Sequence, residues 1–511
     1  MTDISNALPG GANEPPRNGE SAGFGRRIEN AIKWATEIPA ALLVGVETIL
    51  LLVNVIYRYL LHDPLTWGDE LASMLFMWMA MFGAVIALRR NEHMKLSTLI
   101  NRMSPERRAF MNTFAGVVVI AFLLALIPWA YEYAIEEWFI ITPALEIRNT
   151  FRVAALPAGL SFMLIIAVSR LAESAGWRNF LKSAAIVAGV ALLLFAARTH
   201  LSGLGNLNLV IFFLLGVPVL VIAGVPIMAS FGLATLAYLG TVTDTPLLIV
   251  VGRMDEGMSS IILLAVPLFI FLGALIEVMG MAEAMIVLLV NLIGHIRGGL
   301  SYVLLGGMYL ISGISGAKAA DMAAVAPVLF PEMKKRGEDE GELVAMLSSS
   351  GAMSETIPPS LVLITIGSVV GLSISDLFTG GFMPALVGAL AMSVVIWWKN
   401  RKRRVARVEK VSRNEMLRSL MYAIPAITLP FIIRIAVVEG VATATEVATI
   451  GVAYSFVIGL LIYRRSGFDW KRLYPMLVDT VSLSGAVLII IGCASAMAWA
   501  LTQSGFSRQL S

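Results

Sequence analysis

Long runs of apolar residues, separated by charged loops, dominate this sequence of 511 residues. Hydrophobic residues make up 58% of the chain and charged residues only 14%, which is a membrane composition rather than that of a soluble enzyme. An apolar run of roughly 20 residues can cross a bilayer as a helix. Such runs occupy residues 39–59, 71–88, 110–130, 153–168, 377–398, 420–437, 447–463 and 476–501. The sequence therefore predicts an all-α protein that crosses a membrane several times.

Loop charges divide the chain into units and orient it. The loops around the first four runs are in turn basic, basic, acidic and basic, with Arg26, Arg89, Glu136 and Arg170 as examples. Because basic loops stay in the cytoplasm, both ends of this four-helix unit, residues 37–180, are predicted inside. Residues 1–36 are expected to be a disordered cytoplasmic N-terminus, since their first part is rich in Gly, Pro, Asn and Glu.

The rest of the chain is predicted to contain a connector and a larger unit. Residues 181–206 read as a connecting helix and loop, and residues 207–511 as a transport unit. Residues 209–238 lack charge but are too long for one helix, so a break is predicted at Gly224, Val225 and Pro226.

Residues 299–336 combine two short apolar arms, 300–311 and 323–330, with a polar centre between them. Both outer ends are basic, with Arg297 on one side and Lys334 on the other, so both are predicted to lie in the cytoplasm. A segment that enters and leaves on one side is a re-entrant hairpin. Irregular backbone survives at membrane depth only beside protein or a water-filled cavity. We therefore expect a site at the tip.

A second interruption follows in residues 348–360. Serines and the Pro358-Pro359 pair are predicted to break the helix that starts near Leu343, before apolar residues resume at Leu361. Proline removes a backbone donor, so carbonyl groups of residues 354–357 are expected to lack helical partners. Broken helices near the midplane are where secondary transporters bind substrate and coupling ion.

The two interruptions together supply the predicted ion and substrate site. It comprises Ser312, Gly313, Ser315, Gly316, Lys318, Asp321, Ser348, Ser349, Ser350, Ser354, Pro358, Pro359, Ser360 and Glu446. Hydroxyl and carbonyl oxygens are hard ligands suited to Na⁺, which we expect near Ser315, Asp321, Ser349 and Ser350. If the second arm begins near Ala317, its N–H groups would suit a substrate carboxylate.

Structural explanations remain open for several of these residues. Lys318 and Asp321 could pair only with each other on one helical face. Ser315 and Gly316 could form a simple turn. The serines at 348–350 could hydrogen-bond to their own helix, and the two prolines could be a kink.

Charged residues outside the hairpin also have two explanations. Glu446 could be a capping charge at a helix start rather than a site residue. Arg434 could bind an anion, but near a helix end it is expected to extend to the membrane surface. Glu47, Asn54 and Arg58 are expected to contact the larger unit or lipid headgroups.

Several function classes find no support in the residues. The chain has one cysteine, Cys493, and four histidines, too few for a disulfide or for a His/Cys metal site. It has neither a phosphate-binding GxxxxGK[ST] loop nor a recognisable catalytic constellation, so an enzyme is not predicted. The net charge is only +3, and the basic residues lie in loops, where they indicate membrane topology rather than a nucleic-acid partner. No cofactor is expected besides Na⁺ as coupling ion.

A weak internal similarity suggests a repeat. Residues 272–280 can be aligned with residues 497–505, and inverted repeats are a recurring design of secondary transporters. The residues that follow 280 include the hairpin and the broken helix. We expect the second repeat to be truncated, because the sequence ends at Ser511.

Ordered motifs give the chain a resemblance to a known family. Residues 57–59, 64–71 and His93 resemble the small membrane subunit of tripartite ATP-independent periplasmic (TRAP) transporters, and residues 266–269, 312–321, 357–360 and 445–448 resemble the large subunit. The resemblance covers about residues 26–511. It implies a fused small and large subunit of an elevator-type carrier in the bacterial inner membrane. The family is expected to import organic acid anions with Na⁺, delivered by a periplasmic substrate-binding protein.

Two alternatives to such a carrier stay open. A carrier of similar fold could work without a binding protein, although the four-helix unit argues against this. The chain could also be a non-transporting membrane scaffold, particularly if a repeat is truncated.

Overall fold

A computed structural model describes residues 21–174, 176–401, 411–463 and 470–506. Within these residues the chain forms helices, and the strand-like pairing is a single isolated bridge between Ile141 and Arg148. The predicted all-α architecture is confirmed.

The first part of the chain contains the four predicted long helices and the connector. Its helices are α1 (Ser21–Ile56), α2 (Gly68–Arg90), α3 (Thr98–Asn101), α4 (Pro105–Glu136), α5 (Thr150–Val153), α6 (Ala155–Ser174) and α7 (Trp177–Ala196). A π-helical turn, Tyr57–Leu61, extends α1, and a 3₁₀ turn, Glu137–Phe139, extends α4. The connecting helix α7 starts earlier than its apolar run, and most of its surface is exposed.

The second part consists of shorter helices around the predicted interruptions. They are α8 (Arg198–Gly203), α9 (Leu207–Leu209), α10 (Val217–Ile222), α11 (Ile227–Val242), α12 (Leu248–Met258), α13 (Ala265–Val278), α14 (Met281–Ile293), α15 (Gly299–Ser315), α16 (Lys318–Lys335), α17 (Glu340–Ser354), α18 (Leu361–Val370), α19 (Ile374–Asn400), α20 (Arg413–Val438), α21 (Ala444–Leu461) and α22 (Leu473–Gln503). A π-helical turn, Val210–Gly216, precedes α10, and 3₁₀ turns, Ile261–Leu264 and Trp470–Arg472, precede α13 and α22.

Ten helical segments in the described part of the chain are long and apolar enough to cross a membrane. The predicted break at residues 224–226 is confirmed, since α10 ends at Ile222 and α11 begins at Ile227. Gly224 adopts a left-handed φ of 81°, a conformation that favours glycine because it has no β-carbon. The protein is a multi-pass membrane protein.

The predicted disordered N-terminus is partly helical. Residues 1–20 lie outside the described residues, but α1 begins at Ser21, so the prediction of disorder is wrong for residues 21–36. Tertiary contacts explain the difference, because Ile32 and Thr36 are buried and Glu29 forms an ion pair with Arg170 of α6 at 3.0 Å. Composition alone did not reveal these partners.

The final helix α22 joins the two parts of the chain. It packs against α1 and α2 on one side and against α11, α12 and α13 on the other. Gly83 of α2 and Gly485 of α22 make the closest approach, where a β-carbon on Gly485 would lie 2.2 Å from the backbone nitrogen of Ala84. We call this crossing, together with the ion pairs Arg152–Asp255 and Arg90–Asp479 that also join the two parts, the seam.

The two segments of the suggested repeat end alike. Helices α13 and α22 are each followed by a glycine in the left-handed region, Gly280 with φ 78° and Gly505 with φ 72°. This shared ending agrees with the alignment, and the wider repeat stays a prediction.

Candidate functional site

The hairpin consists of α15 and α16, which pack against each other and are joined by Gly316 and Ala317 alone. Gly316 has a φ of 63°, and a β-carbon there would lie 2.7 Å from the carbonyl oxygen of Pro359. The predicted polar centre is therefore almost entirely helical. Ser312 and Ser315 belong to the last turns of α15, and Asp321 belongs to the first turn of α16.

The break in the next helix is shorter than predicted. Helix α17 continues to Ser354 and α18 begins at Leu361, so the prediction that serines 348–350 interrupt the helix is wrong. Serine is tolerated inside a helix when its hydroxyl bonds a carbonyl one turn back, as Ser354 Oγ does with Gly351 O at 3.0 Å. The irregular segment is limited to residues 355–360, and it includes a cis bond between Pro358 and Pro359.

The two interruptions meet in space. The backbone N–H of Leu361 donates to the carbonyl of Gly316 at 3.2 Å, and the hydroxyl of Ser312 donates to the carbonyl of Ser354 at 2.9 Å. As predicted, the carbonyl of Ser354 has no helical partner four residues on, where Pro358 lacks an N–H, but it is not free, because it accepts from Ser312 and, across a turn, from the N–H of Ile357 at 2.9 Å. Hydrogen bonds thus hold the hairpin tip and the broken helix together.

Asp321 lies at the centre of this contact. Its side chain is fully buried, and its Oδ1 accepts a hydrogen bond from Ser315 Oγ. Ser315 Oγ in turn accepts from the N–H of Ala317 at 3.1 Å. Helix α13 packs closely against Ser315, since a β-carbon on Gly273 would lie 2.6 Å from Ser315 Cβ. Among the described residues, Asp321 Oδ2 has no hydrogen-bond partner.

The three consecutive serines of α17 have different surroundings. Ser350 is fully buried, and within the described part of the chain its hydroxyl oxygen has no partner. Gly351, which follows Ser350 in the sequence, lies against Met322 of α16, which follows Asp321. Helices α17 and α16 are therefore in contact at this level. Ser348 and Ser349 are exposed. Ser350 is therefore buried within the packing of α17, whereas Ser348 and Ser349 lie on the exposed surface.

The remaining predicted residues at the tip have structural partners. Lys318 is half exposed and pairs with Glu355 at 2.9 Å, so its alternative pairing with Asp321 does not form. Gly313, Pro358 and Pro359 are buried beside the tip. Ser360 caps α18 by accepting from the N–H of Leu363 at 3.3 Å.

Glu446 has the contacts of a capping residue. It forms a capping box with Thr443 at the start of α21 and also an ion pair with Arg58 at 2.9 Å. The prediction that Arg58 contacts the larger unit is confirmed, whereas Asn54 bonds Asp69 within the first part at 2.9 Å. The guanidinium of Arg434 is exposed and lies 4.2 Å from the ring centroid of Phe382.

Sequence reasoning missed a buried charge cluster at the seam. Arg152 of α5 holds Asp255 of α12 through two parallel bonds of 2.9 and 2.8 Å, and Tyr133 of α4 adds a third at 3.2 Å. Asp255 is 3% exposed. The signal in the sequence is a single aspartate in an otherwise apolar helix face, and its partner is too distant along the chain to be inferred.

Comparisons with known proteins agree with this architecture. Residues 213–511 match the family described as tripartite ATP-independent periplasmic transporter, DctM component, and residues 47–177 match its DctQ component. The sialic acid TRAP transporter permease protein SiaT of Haemophilus influenzae is 28% identical over 465 residues, covering 86% of this chain and 73% of SiaT.

Two further relatives show the same relationship. The isethionate TRAP transporter permease protein DctMQ of Oleidesulfovibrio alaskensis is 26% identical over 481 residues, covering 89% of this chain and 72% of DctMQ. The large permease protein YiaN of the Escherichia coli 2,3-diketo-L-gulonate TRAP transporter is 30% identical over 247 residues, covering 48% of this chain and 58% of YiaN. This chain belongs to the tripartite ATP-independent periplasmic transporters, in which it is a fused protein with a DctQ part followed by a DctM part, and it is a transporter component rather than an enzyme.

Proposed function

We propose that the protein is a Na⁺-coupled secondary active importer of a carboxylate-bearing organic acid. It resides in the bacterial inner membrane with its N-terminus in the cytoplasm. A periplasmic substrate-binding protein delivers the substrate, and the hairpin region carries it across in an elevator motion. The substrate class includes dicarboxylates, keto acids and sugar acids.

The observation that carries this proposal is a pair of buried oxygen atoms near the hairpin tip, Asp321 Oδ2 and Ser350 Oγ, which have no hydrogen-bond partner among the residues that the structure describes. A buried carboxylate without a matching charge is costly in a membrane protein, and such a group usually marks an ion pathway. Carboxylate and hydroxyl oxygens are suitable ligands for a hard cation. These two residues would hold Na⁺, with Ser315 orienting the carboxylate of Asp321.

The start of α16 supports an anionic substrate. The first N–H groups of a helix attract negative charge, and α16 begins at the buried tip, beside the Pro359 carbonyl and the break before α18. Lys318 adds a positive charge at this end, where it forms an ion pair with Glu355 at 2.9 Å. The names of the relatives also point to organic acids, since sialic acid and 2,3-diketo-L-gulonate carry carboxylates and isethionate is a sulfonate.

The packing supports a motion of one group of helices against another. Helices α15, α16 and α17 pack on each other, and α15 and α16 also pack on α13 and α14. Helix α22 packs on α1, α2, α11 and α12, and α13 lies between the two groups because it contacts α22 as well. The first group contains the candidate site. The second group contains the seam and would be the fixed scaffold.

Reconstituted protein provides the test. Purified full-length protein in proteoliposomes, supplied with the periplasmic binding protein from the same organism, should take up radiolabelled sialic acid or 2,3-diketo-L-gulonate only with an inward Na⁺ gradient. Replacing Na⁺ with K⁺ is the control. Uptake driven by ATP without Na⁺ would contradict the proposal, and uptake without the binding protein would favour the binding-protein-independent carrier. Absence of both Na⁺ binding and substrate binding would favour the scaffold.

A further inference from the structure

A polar cavity lies away from the hairpin tip, between α12, α18 and α22. Its volume is about 260 Å³, just below the roughly 300–1,000 Å³ of typical small-molecule sites. Helix α22 enters the membrane from a turn containing Lys471 and Arg472, and the cavity lies at the opposite end of that helix. Since basic ends face the cytoplasm, the cavity lies on the predicted outer side.

The lining combines a cation, hydroxyl groups and an aromatic face. Arg253 and Glu256 come from α12, Ser368 from α18, and Ser495, Trp499 and Thr502 from α22. The Arg253 guanidinium lies 5.4 Å from the Trp499 ring centroid and pairs with Glu256 at 2.5 Å. Arginine binds carboxylates through two parallel bonds, and hydroxyl groups bind the hydroxyls of a polyol.

Two of the three walls are held rigidly together. A β-carbon on Gly257 of α12 would lie 2.3 Å from Ser495 Oγ of α22, so these helices touch at the cavity. The third wall belongs to the candidate transport site. Leu361, the first residue of α18, bonds the hairpin tip at Gly316, and Ser368 lies seven residues further along the same helix. At 1.5 Å per residue, the cavity is about 10 Å from the tip along α18.

We propose that this cavity is an outer binding site for a polyhydroxylated carboxylate such as a sugar acid, held by Arg253 and Trp499 before it reaches the hairpin tip. The inference rests on the proposed function, because it names the substrate class and its route. The ligand carboxylate displaces Glu256 from Arg253, the ring packs on Trp499, and the hydroxyls bond the serine and threonine side chains. A ligand held by both α18 and α22 contacts the moving and the fixed group of helices at once.

The simplest competing explanation is that Arg253 and Glu256 form only a surface ion pair between residues three apart on one helix. Such a pair contributes little to stability, and either substitution would break it equally. If the cavity binds a ligand, the two substitutions should have different effects on binding. Loss of Arg253 removes the contact to the carboxylate, whereas loss of Glu256 removes a competing negative charge.

Equilibrium binding of radiolabelled N-acetylneuraminic acid and D-gluconate to the purified full-length protein separates the two explanations. The measurement is made in K⁺ buffer without Na⁺, so it does not depend on ion coupling. We expect Arg253→Gln to weaken binding of both probes at least about tenfold, Trp499→Ala to weaken it several-fold, and Glu256→Gln to leave it unchanged or tighter. Succinate, which lacks hydroxyls, should bind more weakly than gluconate.

Arg198→Gln is the matched control, since Arg198 also lies over an aromatic ring, at 4.8 Å from the centroid of Phe195 on the connecting helix. It should leave binding unchanged. Equal weakening by Arg253→Gln and Glu256→Gln, no effect of Arg253→Gln, or no binding of either probe to the wild-type protein would overturn the inference. If the variants change probe binding in the expected order but the protein shows no Na⁺-driven uptake, the result would support the binding cavity and contradict the proposed function.

Discussion

Two buried aspartates in this protein have opposite surroundings. Asp255 at the seam is 3% exposed, and both of its oxygens are bound by Arg152, with Tyr133 as a third partner. Asp321 at the hairpin tip is 0% exposed, yet one oxygen is bound by a neutral hydroxyl and the other has no partner in the described part of the chain. The same side chain is satisfied at one place and left unsatisfied at the other.

The difference indicates two roles. A buried ion pair with all its hydrogen bonds made resists separation, because breaking it leaves a charge in a dry interior. The seam therefore fixes the DctQ part to α12 and α22. A buried carboxylate with a free oxygen is instead ready to bind a cation, at a cost to stability that function justifies.

Asp321→Asn should have the largest effect on transport and should leave stability unharmed. The amide keeps the size of the side chain but removes the charge that we assign to Na⁺ binding. Loss of a charged ligand is worth about 1.5–3 kcal/mol, so Na⁺-driven uptake should fall by about 10- to 150-fold. Thermal stability should be unchanged or higher, because an unmatched buried charge is gone. Uptake in proteoliposomes and thermal unfolding in detergent measure the two effects.

The single cysteine offers a direct stability readout for this and the following variants. Cys493 is buried in α22, so a thiol-reactive dye labels it when the protein unfolds. If Asp321→Asn lowered uptake and stability together, the comparison of the two aspartates would fail. Asp321 would then be a structural residue like Asp255.

Arg152→Gln should produce the largest loss of stability. It leaves Asp255 buried without its charge partner, which costs about 3–5 kcal/mol in buried pairs. Arg58→Gln is the matched control, because its pair with Glu446 also joins the two parts but the Arg58 side chain is 55% exposed. That substitution should cost about 1 kcal/mol or less. Dye labelling of Cys493 during heating checks both.

The double variant Arg152→Gln with Asp255→Asn tests the cause. If the unpaired charge is responsible, neutralising Asp255 should recover part of the lost stability. An equal loss in the single and double variants would attribute the effect to packing of the arginine side chain instead.

The sequence predicted the features that depend on local composition. Hydropathy located the spans and the break at Gly224, and the basic ends on either side of residues 299–336 predicted the hairpin. Each of these signals is contained in a few neighbouring residues. The second arm was predicted as the apolar residues 323–330, whereas α16 starts earlier, at Lys318, which agrees with the conditional start near Ala317.

Features that depend on distant partners could not be predicted. Serines 348–350 have low helix propensity, but α17 continues through them because its packing on α15 and α16 outweighs that preference. Arg152 and Asp255 lie in different parts of the sequence, and nothing local indicates that they meet. The free oxygen of Asp321 is likewise a property of the surrounding helices rather than of its own segment.

Gly485→Ala should weaken the seam without touching a charge. The added methyl would lie 2.2 Å from the backbone nitrogen of Ala84 and 2.5 Å from Gly83 Cα, and backbone atoms of a packed helix cannot move aside cheaply. Overpacking of this kind costs about 1–3 kcal/mol. Gly189→Ala in α7 is the control, because nothing lies within 4 Å of the added carbon there. A destabilised Gly189→Ala, or an unaffected Gly485→Ala, would show that close helix contact is not what holds the seam.

The smallest effect should separate the three serines of α17. Ser350 is buried and its hydroxyl oxygen has no hydrogen-bond partner among the described residues, whereas Ser348 and Ser349 are exposed, so we assign the ion ligand beside Asp321 to Ser350. A neutral oxygen ligand contributes about as much as a hydrogen bond, near 1 kcal/mol, so Ser350→Ala should raise the Na⁺ concentration for half-maximal uptake by about five- to tenfold. Ser348→Ala and Ser349→Ala should leave it unchanged. A shift in the Ser349→Ala variant equal to that of Ser350→Ala would mean that the ion approaches α17 from its exposed face. An ion bound to Asp321 would then contact the exposed face of α17, and not the buried face on which Ser350 lies.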